Sequence, residues 1–198
     1  MMGLATVRTM QERNLLILDL DETLIYATES PLDRPADLRI GPYFVHVRPH
    51  LHQFLHDVFG QFEVAVWSSA DPGYVEQVVR SIVPDGLTPS FVWSRLRCTP
   101  RLDLERHEHV HVKDLRKVKR RGYDLDRTII IDDSPEKAQR NYGNAVYVQP
   151  FYGEPDDREL LLLSQYLQSL ATATRVRQIE KRGWRRHTMP KSDSDRES

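Results

Sequence analysis

Asp19, Asp21 and Glu22 follow directly on the apolar run Leu15-Leu16-Ile17-Leu18. Side chains alternate along an extended backbone, so Asp19 and Asp21 lean the same way with Leu20 opposite. Carboxylates held together repel, and one of them must be neutralised by a proton or a cation. The stretch therefore points to proton or cation chemistry. A plainer reading stays open here: Asp and Thr also open helices as N-caps, and a D-x-D-x-T pattern is short enough to arise without a site. Two more polar clusters end apolar runs in the same manner, Ser68-Ser69 after Val64–Trp67 and Asp132-Asp133 after Thr128–Ile131.

The elements that must position these residues can be read from periodicity. Residues 15–18, 64–67, 128–131 and 145–148 are short apolar runs, the pattern of strands covered on both faces. Residues 43–47 alternate. Pro49 starts a helix with Leu51, Phe54, Leu55 and Phe59 on one face, and Asp71-Pro72 caps a second with Tyr74, Val75, Val78, Val79 and Ile82 as its stripe. Ser134-Pro135-Glu136 opens another helix, residues 156–171 form a leucine-rich one, and residues 90–112 hold short strands. Strands alternating with amphipathic helices predict an α/β fold: a Rossmann-like three-layer sandwich with a mostly parallel central sheet. Ligands of such sheets bind outside the carboxyl ends of the strands, where the three polar clusters converge.

The chain has 198 residues, of which 39% are hydrophobic, and a net charge of −1. That balance argues against a generic nucleic-acid binder, which is normally basic. Cys98 is the single cysteine, which excludes an internal disulfide and fits a small apolar filler in a reducing compartment. No apolar run approaches the roughly 20 residues that a bilayer requires. The expectation is a cytoplasmic protein, or a nuclear one in a eukaryote, with no membrane partner. Residues 1–13 read as a flexible arm, 14–172 as one domain, and 173–198 as a charged, disordered tail.

In chain order, “DLDETL” at 19–24, “VWSSA” at 66–70, “VKDL” at 112–115 and “IIIDDSP” at 129–135 resemble the four motifs of the haloacid dehalogenase superfamily. Within it they are similar to the FCP/SCP branch, the NLI-interacting-factor-like phosphatases that act on the RNA polymerase II C-terminal domain. The likeness runs from about residue 14 to 170 and includes “VHVRPHLHQFL” at 45–55. The resemblance implies that Asp19 is a nucleophile that becomes an aspartyl-phosphate. It makes Asp21 the acid/base, so that one carboxylate ionises and attacks while its neighbour holds a proton. Ser68, with Ser69 beside it, meets the phosphoryl oxygens, and Thr23 supports the loop by hydrogen bonding. Lys113 neutralises phosphate and nucleophile. Asp19, Asp133 and the backbone carbonyl of Asp21 hold Mg²⁺, a hard cation that prefers oxygen ligands. Asp132 is either an outer metal residue or a helix-start carboxylate. Position 133 departs from the branch, whose eukaryotic members have Asn in “DNSP”.

About 18 residues separate the first motif from the strand at 43–47, too few for a separate cap domain. With at most small β insertions the site is capless and open, which suits a phosphorylated protein or peptide. Arg95 resembles an arginine that the branch places on a strand to meet substrate; a surface arginine is the alternative. His107, His109 and His111 alternate and could chelate a metal, although a solvated strand face explains them as well. The basic stretch around Trp184 reads as part of the tail. The expected function is a Mg²⁺-dependent phosphatase for phosphoserine or phosphothreonine in proteins, with a phosphatase of small esters and a non-catalytic phospho-binding scaffold as rivals.

Overall fold

The computed structural model describes residues 13–103, 108–138 and 141–188. In chain order its strands are β1 (Leu15–Leu18), β2 (Ile25–Thr28), β3 (Leu38–Ile40), β4 (Tyr43–Val47), β5 (Glu63–Trp67), β6 (Val92–Trp93), β7 (Thr99–Asp103), β8 (Glu108–Val112), β9 (Thr128–Asp132) and β10 (Ala145–Tyr147). Its helices are α1 (Leu51–Gln61), α2 (Pro72–Ile82), α3 (Arg116–Arg120), α4 (Pro135–Ala138) and α5 (Glu159–Leu170).

The continuous apolar runs make the centre, because only a strand covered on both faces can bury every side chain. β1 lies between β5 and β9 in a wholly parallel sheet of order β10-β9-β1-β5-β6. Its even-numbered residues, Leu16 and Leu18, pack with α1, α2 and α5, whereas Leu15 and Ile17 pack with Phe91, Trp93 and Val118 on the other face. This is the expected three-layer sandwich. Leu18 is level with both Val66 and Ile131. Asp19, Ser68 and Asp132 therefore leave the sheet at nearly one height.

Two β insertions decorate this core. β2, β4 and β3 form a small antiparallel sheet, and β7 pairs with β8. β2 and β3 were not legible in the sequence, because three- and four-residue strands of mixed polarity show no clear period. Arg48, directly after β4, is completely buried. Its guanidinium donates to the Thr23 and Gln149 carbonyls at 2.9 Å each and grips the Asp157 carboxylate at 2.8 Å. That fork ties the loop after β1 to the segment preceding α5. None of the described helices is long and apolar enough to cross a membrane.

The segment from 173 to 188 departs from the sequence reading. Its charge predicts a disordered tail, yet Val176 and Trp184 are 0% and 1% exposed. Trp184 stacks on Tyr166 of α5 with ring centroids 5.5 Å apart, and its indole donates to the Tyr147 carbonyl at 2.9 Å. Lys181 is buried as well and is satisfied by the carbonyls of Gly143, Val176 and Ile179. Arg185 likewise pairs with Glu159, a specific contact that composition does not register. Residues 189–198 lie outside the described residues. Emptying the Trp184 site removes a large apolar volume, so Trp184→Ala is expected to lower unfolding free energy by about 3–5 kcal/mol. Denaturant titration measures this, and a loss below about 1 kcal/mol would mean that the segment is only laid on the surface.

Candidate active site

Asp19 is set by the end of β1. Its amide donates to the Ile131 carbonyl at 3.1 Å, continuing the β1–β9 ladder by one residue, and its side chain is almost wholly buried. One carboxylate oxygen lies 2.6 Å from the Lys113 ammonium. The other is buried without a hydrogen-bond partner among the described residues. After Asp19 the chain turns sharply. Glu22 adopts a left-handed φ of 58°, unusual for a residue with a side chain, and the amides of Thr23, Leu24 and Ile25 all point at the Leu20 carbonyl.

Lys113 has no solvent exposure, and its ammonium is shared between Asp19 at 2.6 Å and Asp132 at 2.7 Å. Burial alone would discharge it. The two carboxylates outweigh that and raise its pKa, so it stays charged. Asn141 holds its backbone, donating to the Lys113 carbonyl and accepting from the Leu115 amide. Asp132 accepts from the Ser134 amide at 2.9 Å with one oxygen, the place of a helix-start carboxylate where α4 begins, and binds Lys113 with the other. Complete burial pushes its pKa to about 7, against the pull of Lys113.

Asp21 lies in different surroundings. Its carboxylate accepts from the Tyr74 hydroxyl at 2.7 Å and from Ser68 Oγ at 3.4 Å. Burial and then the Asp19 charge raise its pKa, while the Tyr74 bond opposes them. Glu22 is raised to about 7, mainly by burial and secondly by the Asp21 charge. The arrangement therefore sets one carboxyl against the Lys113 ammonium and, two residues on, a second whose proton affinity burial raises.

Asp19, Asp132 and Asp133 each offer an oxygen within 4.8 Å of the others. One oxygen each of Asp19 and Asp133 has no hydrogen-bond partner among the described residues, whereas both of Asp132's are engaged. The donor set is all oxygen, compact and buried, and so fits a small divalent cation. The Asp21 carboxylate is not in this group, and no histidine joins it among the described residues. His107 lies outside the described residues.

An open cleft of about 320 Å³ adjoins the site, lined in part by Asp21, Glu22, Tyr43, Ser69, Tyr74 and Arg95. Arg95 is on a 3-10 turn directly after β6, not on a strand as expected, and reaches Asp71 at 3.5 Å. Thr23 also departs from expectation. Its hydroxyl is buried with no hydrogen-bond partner among the described residues, and it supports the loop through its backbone instead, its carbonyl accepting from Arg48 and its amide donating to Leu20. Cys98 is buried beneath the site, its thiol pushed up by burial, in keeping with the filler role.

Three residues of the site escaped sequence reasoning. Tyr74 reads as part of the α2 apolar stripe, because periodicity does not see a hydroxyl at the end of a ring. Asn141 carried no signal. Lys137, 3.9 Å from both Asp19 and Asp133, was legible in principle through its helical i, i+4 spacing from Asp133.

A parallel α/β sandwich with an Asp–Lys–Asp cluster at its carboxyl edge shares its fold with a haloacid dehalogenase-like hydrolase of Xanthomonas campestris, at TM-score 0.52 and 11% identity over 80% of this chain and 96% of that one. The family model described as NLI interacting factor-like phosphatase matches residues 14–177, and the chain belongs to that family. It is 30% identical over 171 residues to a probable C-terminal domain small phosphatase of Dictyostelium discoideum, covering 83% of this chain and 53% of the relative. It is 29% identical over 195 residues to nuclear envelope morphology protein 1 of Saccharomyces cerevisiae, covering 88% and 43%. The chain thus spans about half the length of these two relatives. Among solved structures it is similar to Fcp1, an essential RNA polymerase II CTD phosphatase, with TM-score 0.54 and 20% identity over 86% of this chain and 59% of that one.

The Tyr74 contact yields a test of the electrostatics. Protonated Asp21 persists below its raised pKa and is lost as pH rises through it. The Tyr74 bond favours the ionised form, so its removal must move that pKa further up. In Tyr74→Phe the Asp21 carboxyl resonance, followed by ¹³C NMR, is expected to titrate at higher pH than in the parent. A lower or unchanged midpoint would show that the hydroxyl does not act on Asp21.

Proposed function

We propose that this chain is a Mg²⁺-dependent phosphatase that works through an aspartyl-phosphate and acts on phosphoserine or phosphothreonine in proteins. The observation that carries the reading is the division of labour at Asp19. One of its oxygens is fixed by Lys113, and the other is buried with no hydrogen-bond partner among the described residues. A carboxylate oriented this way is suited to attack phosphorus.

In this reading Asp19 forms the bond to phosphorus while the substrate's ester oxygen departs. Asp21, whose proton affinity burial raises, gives a proton to that oxygen, and its carboxylate then takes one from the water that hydrolyses the acyl phosphate. Lys113 balances charge on Asp19, and Ser68 presents its hydroxyl beside Asp21. Asp19 and Asp133, with the Asp21 backbone carbonyl, would hold Mg²⁺, whose charge polarises the phosphoryl group. Asp132 keeps Lys113 charged and in place. Ser69 and Arg95 line the cleft from which substrate approaches.

The substrate class rests on the open cleft and on family membership, and the names of the Dictyostelium relative and of Fcp1 refer to C-terminal domain phosphatases. For location, the yeast relative's name favours the nuclear envelope over the cytoplasm expected from the sequence.

The test is turnover of phosphoserine peptides and of an aryl phosphate, with and without Mg²⁺, by the parent, Asp19→Asn and Asp21→Asn. Asp19→Asn is expected to lose nearly all activity on both substrates; retention of more than about a tenth, roughly 1.4 kcal/mol of barrier, refutes the nucleophile. Asp21→Asn is expected to lose far more rate on the peptide, because an aryl oxide leaves without a proton. It should also accumulate a phosphorylated protein visible by intact mass. A preference for the aryl ester over every phosphopeptide in the parent would favour the small-ester rival.

A further inference from the structure

Asp19 is approached by two lysines that differ in kind. Lys113 is sealed in, 0% exposed, with contacts of 2.6 and 2.7 Å that leave it nowhere to go. Lys137 is 21% exposed at its side chain, and its ammonium stands 3.9 Å from an oxygen of Asp19 and 3.9 Å from one of Asp133. Those are the same two oxygens that are buried without a hydrogen-bond partner. At that distance an ammonium balances charge without occupying a lone pair. Its backbone is fixed, since the Lys137 carbonyl accepts from the Lys113 amide at 2.8 Å. The side chain, on four rotatable bonds and partly in solvent, is free to swing.

We propose that Lys137 is the resident counter-ion of this acidic centre and competes with the divalent cation for Asp19 and Asp133. The proposal rests on the Mg²⁺ reading above. Without a metal, the carboxyls of Asp19, Asp132 and Asp133 stand together against Lys113, and Lys137 relieves the excess of negative charge. A Mg²⁺ ion held by Asp19 and Asp133 would bring its charge next to the ammonium and repel it. Lys137 must therefore turn outward as the cation enters. The lysine that steadies the empty centre weakens its grip on metal, so that metal occupancy responds to the cation level instead of being permanent.

Calorimetric titration of the whole chain with MgCl₂ tests this without reference to turnover. Lys137→Met is expected to bind Mg²⁺ about tenfold more tightly than the parent, because a competing positive charge is gone. Lys137→Gln, a second neutral variant, should do the same, and Lys137→Arg should resemble the parent. In thermal melts the metal-free Lys137→Met protein should be less stable than the parent and gain more from added Mg²⁺. Equal or weaker Mg²⁺ binding by both neutral variants overturns the proposal while leaving the metal reading intact. Absence of binding to every form, parent included, overturns both.

Discussion

A lysine ammonium with no access to water is among the costliest groups a fold can bury, and its neighbours must answer for it. Lys113 is such a group, and its two carboxylate contacts make the rest of the site possible. Asp19 and Asp132 come from the ends of neighbouring strands, so the contacts exist only if β1 and β9 end level. The chain around Lys113 is fixed separately, by the Asn141 side chain and the Lys137 carbonyl. Slipping the strand register by one residue would turn these carboxylates toward the opposite face and leave the ammonium unpaired. Sheet register, loop conformation and site electrostatics are thus one constraint.

The second physical theme is the contrast between two carboxylates two residues apart. Asp19 has a full positive charge at contact distance. Asp21 has only hydroxyl donors, Tyr74 and Ser68, and burial dominates its proton affinity. The left-handed Glu22 lets the chain turn quickly enough to separate these environments, and Arg48 fastens the turn from beneath through the Thr23 carbonyl. The same residue types at the same spacing on a straight strand would share one environment.

Much of this was legible before any coordinates. The strands at 15–18, 64–67 and 128–131 are continuous apolar runs with few other ways to be buried, and the acidic and serine residues that end them mark the site edge of a parallel sheet. What stayed hidden had no local period. β2 and β3 depend on β4 for their definition. Tyr74 is an apolar residue by pattern and a hydrogen-bond donor by position. Asn141 does its work through a backbone contact 28 positions away. Trp184 lies among arginines and lysines, and mean polarity hid the fact that one of those arginines, Arg185, pairs with Glu159 while the indole fills a gap beside α5. Tertiary partners, which no window of sequence contains, decided these cases.

The two margins of the main sheet are closed unequally. Along β10 the carbonyl of Tyr147 is taken by the Trp184 indole, with Arg185 approaching the same oxygen at 3.4 Å. Along β6 the outermost strand is two residues long. Each margin is thus short, two residues at β6 and three at β10. Edges this short leave a second copy of the chain little ladder to extend, which guards the central sheet against edge-to-edge association.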